Sequence, residues 1–508
     1  MSKLVDSLMR RVANRYYQQL LIDQDSLAQA QQKLWQGLRR QLKDTEIGRL
    51  FSISRLPDYQ DYTARVPALD YEFYSPLVER QLQEGSGVLF NEPTTFVGLS
   101  SGTTGEPKKI PYNSATEGLF RRFLVSTGAT LLHERPEFHA KKMKRFGYGS
   151  APVVYTEHGI PHGYLSGAIS NRSGLSRARN IFPSSETLEI ANWDEKIDAI
   201  LDQTMGVPIQ IASGFPSYLL TIFRALLAKT GAQTMQEVWP GFDTILYSGV
   251  PIAPYLDPLR QVIGRPVATV ATYGCTESPL GTGLTYHPET GLQEYAFLPY
   301  ILMSFSPIDA PDVVLGVSDL EVGGQYLLRI GMPNGLLNYS NKDVIQIESV
   351  SPVISYSISG RTHNVLSLSG EKVTEHQALA ALMEIQTQTR THFQHYFLAP
   401  ESEGTELYYR WTLFADPQQR ANSDVLATAL DQALAAQNAE YGIIRHDGVT
   451  GRPRVTVLDR ALLDPYFHNN REKGQFKMRT IFSSAADFET FWQREFKAPA
   501  VATDAASA

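Results

Sequence analysis

Apolar side chains recur at every fourth position as the chain begins, at Leu4, Leu8, Val12, Tyr16 and Leu20, and again at Leu27, Leu34 and Leu38. That period gathers them on one helical face, so two amphipathic helices are predicted in the first fifty residues, the second capped at Asp25. Further on the pattern shortens to β-rich runs: Thr95-Phe96-Val97, Pro208-Ile209-Gln210-Ile211, Thr244-Ile245-Leu246-Tyr247 and Val267-Ala268-Thr269-Val270. Between the second and third, Tyr218 to Lys229 has helical spacing. This alternation predicts an α/β fold in which helices cover sheets. The texture changes after about Ser355. His392–Ala399, a Glu403-Gly404 turn and Leu407–Phe414 read as a hairpin, Val425, Ala429, Leu430, Ala433 and Leu434 as a helix, and Arg454–Leu458 as another strand. A compact α+β unit is therefore expected beyond a boundary near residues 355–362. The expected domains are 1–357 and 358–508, with Ala498 to Ala508 fraying.

Composition narrows the function classes. A chain of 508 residues, 43% hydrophobic and 10% aromatic, has ample material for more than one core. A net charge of −7 argues against a nucleic-acid or anionic-membrane partner. The basic run Lys141-Lys142-Met143-Lys144-Arg145 is expected on a solvated face or loop. The single cysteine, Cys275, excludes a disulfide within the chain and argues against a cysteine zinc site. Asp6, Arg10 and Arg11 interrupt the place where a signal peptide would be apolar, and no run of about 18 apolar residues is present. A cytoplasmic protein with no membrane contact is the expectation. His158 and His162 are four apart, but Gly159 and Pro161 prevent a helix from aligning them on a metal. Trp193 and Trp239 are expected in the core.

The chemistry concentrates in Ser100-Ser101-Gly102-Thr103-Thr104-Gly105-Glu106-Pro107-Lys108-Lys109-Ile110-Pro111, which follows strand-like Thr94–Gly98. Two glycines allow backbone N–H groups to approach an anion, and four hydroxyl side chains and a lysine add donors; such a nest suits a polyphosphate. A P-loop would need Lys after its second glycine, whereas Glu106 follows Gly105. Gly98-Leu99-Ser100-Ser101-Gly102 matches the nucleophile elbow of a serine hydrolase, which must run straight into a helix. Thr-Thr-Gly-Glu-Pro-Lys is a poor helix start. A plain solvated turn is the third possibility.

Ser-Ser-Gly-Thr-Thr-Gly-x-Pro-Lys resembles the phosphate loop of the adenylate-forming superfamily of acyl-CoA synthetases, peptide-synthetase adenylation domains and luciferases. Its continuation through Lys109-Ile110-Pro111 is similar to one branch, the auxin-responsive acyl-acid amido synthetases and their bacterial relatives. The likeness extends along nearly the whole chain, through Glu46-Ile47-Gly48-Arg49, Pro67, Tyr71, Glu84-Gly85, Ser213-Gly214-Phe215-Pro216 and Tyr247-Ser248-Gly249-Val250-Pro251. The resemblance implies a large N-terminal adenylate-forming domain of β-sheets and helices and a smaller, mobile α+β C-terminal domain. It also assigns roles. Ser100, Ser101, Gly102, Thr103, Thr104 and Gly105 would hold the ATP phosphates, with Lys108 at the reacting centre. In Tyr273-Gly274-Cys275-Thr276-Glu277, Tyr273 would stack on adenine, Thr276 would meet phosphate and Glu277 would hold Mg²⁺. Asn338-Tyr339-Ser340-Asn341-Lys342-Asp343-Val344 is similar to the third motif, Tyr-Arg-x-Gly-Asp-Val. Its Asp343 would accept the ribose hydroxyls, although Ser340 and Lys342 replace the arginine and glycine. Gly360-Arg361-Thr362-His363-Asn364 and Gly370-Glu371-Lys372-Val373-Thr374-Glu375 are similar to the hinge and start of the mobile domain, with Arg361 at ribose or phosphate. Asn438-Ala439-Glu440-Tyr441 and Gly474-Gln475-Phe476-Lys477 are similar to the late motifs, and Lys477 would be the lysine carried to the adenylation site.

The implied reaction joins a carboxylic acid to AMP and then passes the acyl group to an amine of the amino-acid kind. Coenzyme A or an alcohol would be alternative acceptors. A hydrolase using Ser100, or an inactive nucleotide-binding relative, would be the alternatives outside that chemistry.

Overall fold

The structure is a computed structural model that describes residues 2–100, 107–138, 143–149, 152–165, 167–168, 180–190, 192–361, 365–369, 371, 373–403, 406–419, 422–446, 449–470 and 478–496. The two predicted opening helices are present as Ser2–Gln18 and Gln24–Leu42. The second is capped by Asp23 rather than Asp25. The Asp23 carboxylate accepts the Ser26 N–H at 2.8 Å, and Asp25 sits in the first turn, where its charge favours the helix N-terminus. Leu27, Trp35, Leu38 and Leu42 face the core from this helix.

An eleven-stranded sheet forms the body of the protein. One half is parallel: Ile181–Phe182, Lys144–Gly147, Ile209–Gly214, Thr244–Tyr247 and Ala268–Gly274 lie side by side in that order. Parallel neighbours need crossovers, and the helices Trp193–Thr204, Pro216–Thr230 and Leu256–Ile263 occupy those connections. The short apolar runs of the sequence are these strands, and Tyr218 to Lys229 is the heart of Pro216–Thr230. The basic run departs from expectation at its described end. Lys144 and Arg145 begin an internal strand instead of a solvated face, and burial lowers the Arg145 guanidinium pKa. Trp193 and Trp239 are buried in the core.

At Ala268–Gly274 the sheet changes character. The chain turns through a Cys275 N–H to Ser278 carbonyl bond of 2.9 Å and returns antiparallel as Pro279–His287. Leu292–Phe297, Ser355–Arg361, Tyr339–Ser349, Gln325–Gly331 and Leu302–Pro307 complete an antiparallel half. A separate four-stranded sheet holds Phe96–Leu99 between Lys109–Tyr112, antiparallel, and Ile160–Gly163, parallel.

Beyond residue 365 the predicted hairpin is Phe393–Glu403 paired with Glu406–Ala415, and Arg454–Asp459 runs parallel to the latter. Helices Glu375–Thr389 and Ser423–Gln437 pack on this sheet. Buried side chains divide along the chain: one cluster runs from Tyr17 to Tyr356, and two others draw their buried members from residues 366–492. A cavity of about 210 Å³ lies where the later residues meet the earlier ones, lined by Arg224, Tyr255, Gln394, Asp464, Phe467 and His468 among others. Among the described residues no helix is long and apolar enough to cross a membrane.

Candidate functional site

The root of the phosphate-loop candidate is a hairpin. Leu99 pairs with Lys109, and the Ser100 N–H donates to the Lys108 carbonyl at 3.0 Å, drawing the two ends of the loop together. Ser101, Gly102, Thr103, Thr104 and Gly105 lie outside the described residues. The described chain resumes at Pro107 and returns as the antiparallel strand Lys109–Tyr112. Gly98, the first glycine of that elbow match, has a different use. A β-carbon there would stand 2.7 Å from the Thr276 methyl and 3.3 Å from the Tyr112 ring, so the absent side chain is what lets the second motif dock against this strand. The Tyr112 hydroxyl closes the contact by donating to the Thr276 carbonyl. On the far side, Tyr71 receives the Lys109 N–H at 2.8 Å, and the Lys108 ammonium lies 5.2 Å from the centre of the Tyr71 ring.

The third motif runs past the same helix, Tyr71–Glu84. The Ser340 N–H donates to the Leu69 carbonyl at 2.8 Å, and Leu69 N–H donates to the Asn338 carbonyl at 3.0 Å. Asp343 then reaches Tyr273, whose hydroxyl donates to Asp343 Oδ2 at 2.6 Å. Asn341 Nδ2 donates to the same oxygen at 3.0 Å. Burial, and next the Asp343 charge, push the Tyr273 phenol well above its ordinary pKa, so it stays a hydrogen-bond donor. Its ring is 5.8 Å from that of Tyr295 and 6.1 Å from that of Tyr356, in the wall of the core. Arg361 lies opposite Asp343 in the strand register.

Glu277 is buried, 6% exposed, with Oε1 accepting the Tyr339 hydroxyl at 2.8 Å. Burial, and next Glu277, raise the Tyr339 phenol far above its usual range, which keeps it protonated and leaves the carboxylate as acceptor. Among the described residues no group of three or more His, Cys, Asp or Glu side chains converges to form a metal cage. One buried carboxylate fits Mg²⁺, which takes one or two protein oxygens and completes its octahedron with substrate phosphates and water. Cys275 stands between these groups without chemistry of its own. Burial, then Glu277 and Asp343, push its thiol up, away from the reactive thiolate.

The structure thus brings the strand before Ser100 against Thr276, sets Lys108 over Tyr71, and joins Tyr273 to Asp343 and Tyr339 to Glu277. Lys477 lies outside the described residues. Sequence reasoning gave no role to Tyr71, Tyr112, Tyr339 or Asn341, which hold the others. Tyr71, Tyr339 and Asn341 stood among the quoted residues, but the hydroxyl contacts of Tyr71 and Tyr339 cross 38 and 62 residues, which no local pattern encodes, and Asn341 reaches Asp343 only across the local bulge.

This arrangement lies in the fold of the adenylate-forming enzymes. The structure superposes on a 2-hydroxyisobutyryl-CoA ligase in the postadenylation state with a TM-score of 0.55, at 13% identity over 97% of this chain and 92% of that one. It superposes on the acyl acid amido synthetase AtGH3.15, solved in complex with 2,4-DB, with a TM-score of 0.78, at 16% identity over 96% of both chains. Residues 17–226 match the GH3 family N-terminal domain. The chain is also a homologue of the jasmonoyl–L-amino acid synthetase GH3.5 of Oryza sativa subsp. japonica, 23% identical over 416 residues, which are 66% of this chain and 70% of the relative. The chain thus has an adenylate-forming α/β fold, and its residues 17–226 are similar to the GH3 family N-terminal domain, as the motifs led one to expect.

Proposed function

We propose that this protein is an acyl-adenylate-forming ligase that makes an amide, working in the cytoplasm. The observation that carries the reading is the docking of the strand that leads into the loop, at Gly98, against Thr276, next to Glu277, with Lys108 over Tyr71 and with Tyr339 and Tyr273 donating to Glu277 and Asp343. The Ser101–Gly105 loop and Thr276 would receive the triphosphate, Tyr273 would border the adenine, and Asp343 would accept the ribose hydroxyls. Glu277 would hold Mg²⁺, which supplies neutralising charge to the phosphates when bound.

In the first half-reaction a carboxylate oxygen of the acid attacks the α-phosphorus of ATP. The bond to the bridging oxygen breaks and pyrophosphate leaves, giving acyl-AMP. The contribution of the chain is to align the two reactants and to set donors where phosphate charge gathers. In the second, an amine nitrogen attacks the acyl carbon, AMP departs and the nitrogen loses a proton. The relationship to a jasmonoyl–amino acid synthetase supports an amino-acid acceptor; coenzyme A is the second candidate because a CoA ligase shares the fold.

A hinge is proposed where Ser355–Arg361 leaves the large sheet, dividing the chain near residues 355–362. Separate buried clusters on either side, and the cavity between them, support units that can part. Movement about that hinge would bring Lys477 and Arg361 to the nucleotide. The test is ATP–pyrophosphate exchange across a panel of aromatic, jasmonate-like and fatty acids, followed by mass analysis after adding amino acids or coenzyme A. Acid-dependent exchange and an N-acyl product are expected. A Ser100 hydrolase would give ester cleavage and no exchange.

A further inference from the structure

The carboxylate read as the ribose acceptor sits one residue beyond a kink that a lysine should resist. Lys342 has φ = +67°, in the left-handed region that glycine enters freely and a side chain with a β-carbon does not. The kink is a bulge. Along the neighbouring strand Arg329 pairs with Ser340 and Leu327 with Val344, so residues 341–343 stand opposite one residue, Leu328.

Two side chains hold the bulge. Ser340 Oγ accepts the Lys342 N–H at 3.2 Å, and Asn341 Oδ1 accepts the Asp343 N–H at 3.1 Å. Asn341 also works from its other end. Its Nδ2 donates to Asp343 Oδ2 at 3.0 Å and approaches the Tyr273 hydroxyl oxygen at 3.3 Å. Asn341 is 5% exposed, so water does not replace these bonds readily. A single amide therefore ties down both the backbone and the carboxylate of Asp343, and joins them to Tyr273.

We propose that Asn341 is the positioning residue of the ribose-binding carboxylate, and that through Asp343 it sets how sharply the site separates ribonucleotides from 2′-deoxyribonucleotides. The inference rests on the assignment of Asp343 to ribose. A carboxylate fixed in one rotamer penalises the nucleotide that leaves it unpaired, whereas one free to swing finds water and discriminates less. The same amide replaces the freedom of a glycine by holding Lys342 in the conformation that glycine would take unaided.

Exchange kinetics with ATP and 2′-deoxy-ATP test this in the full-length chain. Asn341→Ala is expected to raise the KM for ATP about tenfold, keep kcat within about threefold and shrink the kcat/KM preference for ATP about tenfold, as loss of a charged hydrogen bond implies. Asn341→Asp keeps the acceptor for the Asp343 N–H but sets a second carboxylate beside the first. The pair then holds a shared proton more readily as pH falls, so its deficit should be larger at pH 8 than at pH 6. Adding Lys342→Gly to Asn341→Ala should recover part of the KM but little of the preference, because the backbone is relieved while the donor stays missing. If Asn341→Ala fails to fold by thermal melting, Asn341→Asp and the double variant carry the test. An unchanged ATP preference in the folded variants, or a loss of kcat shared equally by both nucleotides, overturns the proposal and leaves the adenylation reading standing. A wild-type enzyme that exchanges ATP and 2′-deoxy-ATP equally well would instead remove Asp343 from the ribose, and this proposal with it.

Discussion

The proposed nucleotide site and the C-terminal unit both depend on buried tyrosines, and they use them in different ways. Around the site, Tyr273 and Tyr339 direct their hydroxyls onto Asp343 and Glu277, so the aromatic core ends in two oriented carboxylates. In the C-terminal unit, Tyr409 and Tyr441 direct theirs onto Glu371 and Asp431 at 2.5 and 2.6 Å. There the acids also close local structure: Glu371 accepts the Leu368 and Ser369 N–H groups, and Asp431 grips Arg445. At the first place the tyrosines orient two acids beside the root of the proposed phosphate loop; at the second the acids hold backbone N–H groups and an arginine.

That contrast can be broken from either side. The largest effect is expected from Trp411→Ala, which empties a fully buried position in the C-terminal core. A loss of about 3–5 kcal/mol is anticipated. In denaturant titration it should appear as an early transition of the C-terminal unit, with ATP still bound by the remainder; one coincident transition for the whole chain would refute separate cores. Glu277→Gln comes next. Acid-dependent exchange should fall about 100–1000-fold at unchanged melting temperature, a loss in the range of other transition-state charge partners. Equal losses of stability and activity would place Glu277 with the structural acids.

The smallest effect concerns pH. His395 is buried between Phe397 and Phe414 and is paired through Nε2 with the Arg479 carbonyl at 3.0 Å; burial depresses its pKa to about 4. The unfolded chain takes up this proton near pH 6.5 while the folded chain does not until about pH 4. Stability should therefore fall as pH drops through that window, by on the order of 3 kcal/mol. His395→Gln should flatten that part of the acid melting curve, and a curve of unchanged slope would show that the histidine does not govern it.

Much of the fold was legible because it is local. The helical period at Leu4–Leu20, the apolar runs at Ile209–Ile211 and Thr244–Tyr247 and the hairpin after His392 all became the elements they predicted. The cap at Asp23 was displaced from Asp25 because either acid suits a helix start, and only backbone geometry at the boundary chooses between them. The chemistry-bearing types also stood out: glycine with hydroxyls before a lysine, an aromatic and an acid around Thr276, an acid in a strand at Asp343. Their supports did not. Tyr112 to Thr276 and Tyr339 to Glu277 join residues 164 and 62 positions apart, and no periodicity foretells such contacts.

Residue order alone determined which groups were available to bind a nucleotide and which stretches would become helix or strand, since both follow from side-chain type and short-range spacing. Tertiary structure decided which tyrosine orients which acid, how close Thr276 comes to Gly98, and how a lysine keeps a left-handed backbone at residue 342. Those outcomes depend on distances of a few ångströms between segments far apart in the chain, and they exist only after the core has closed around them.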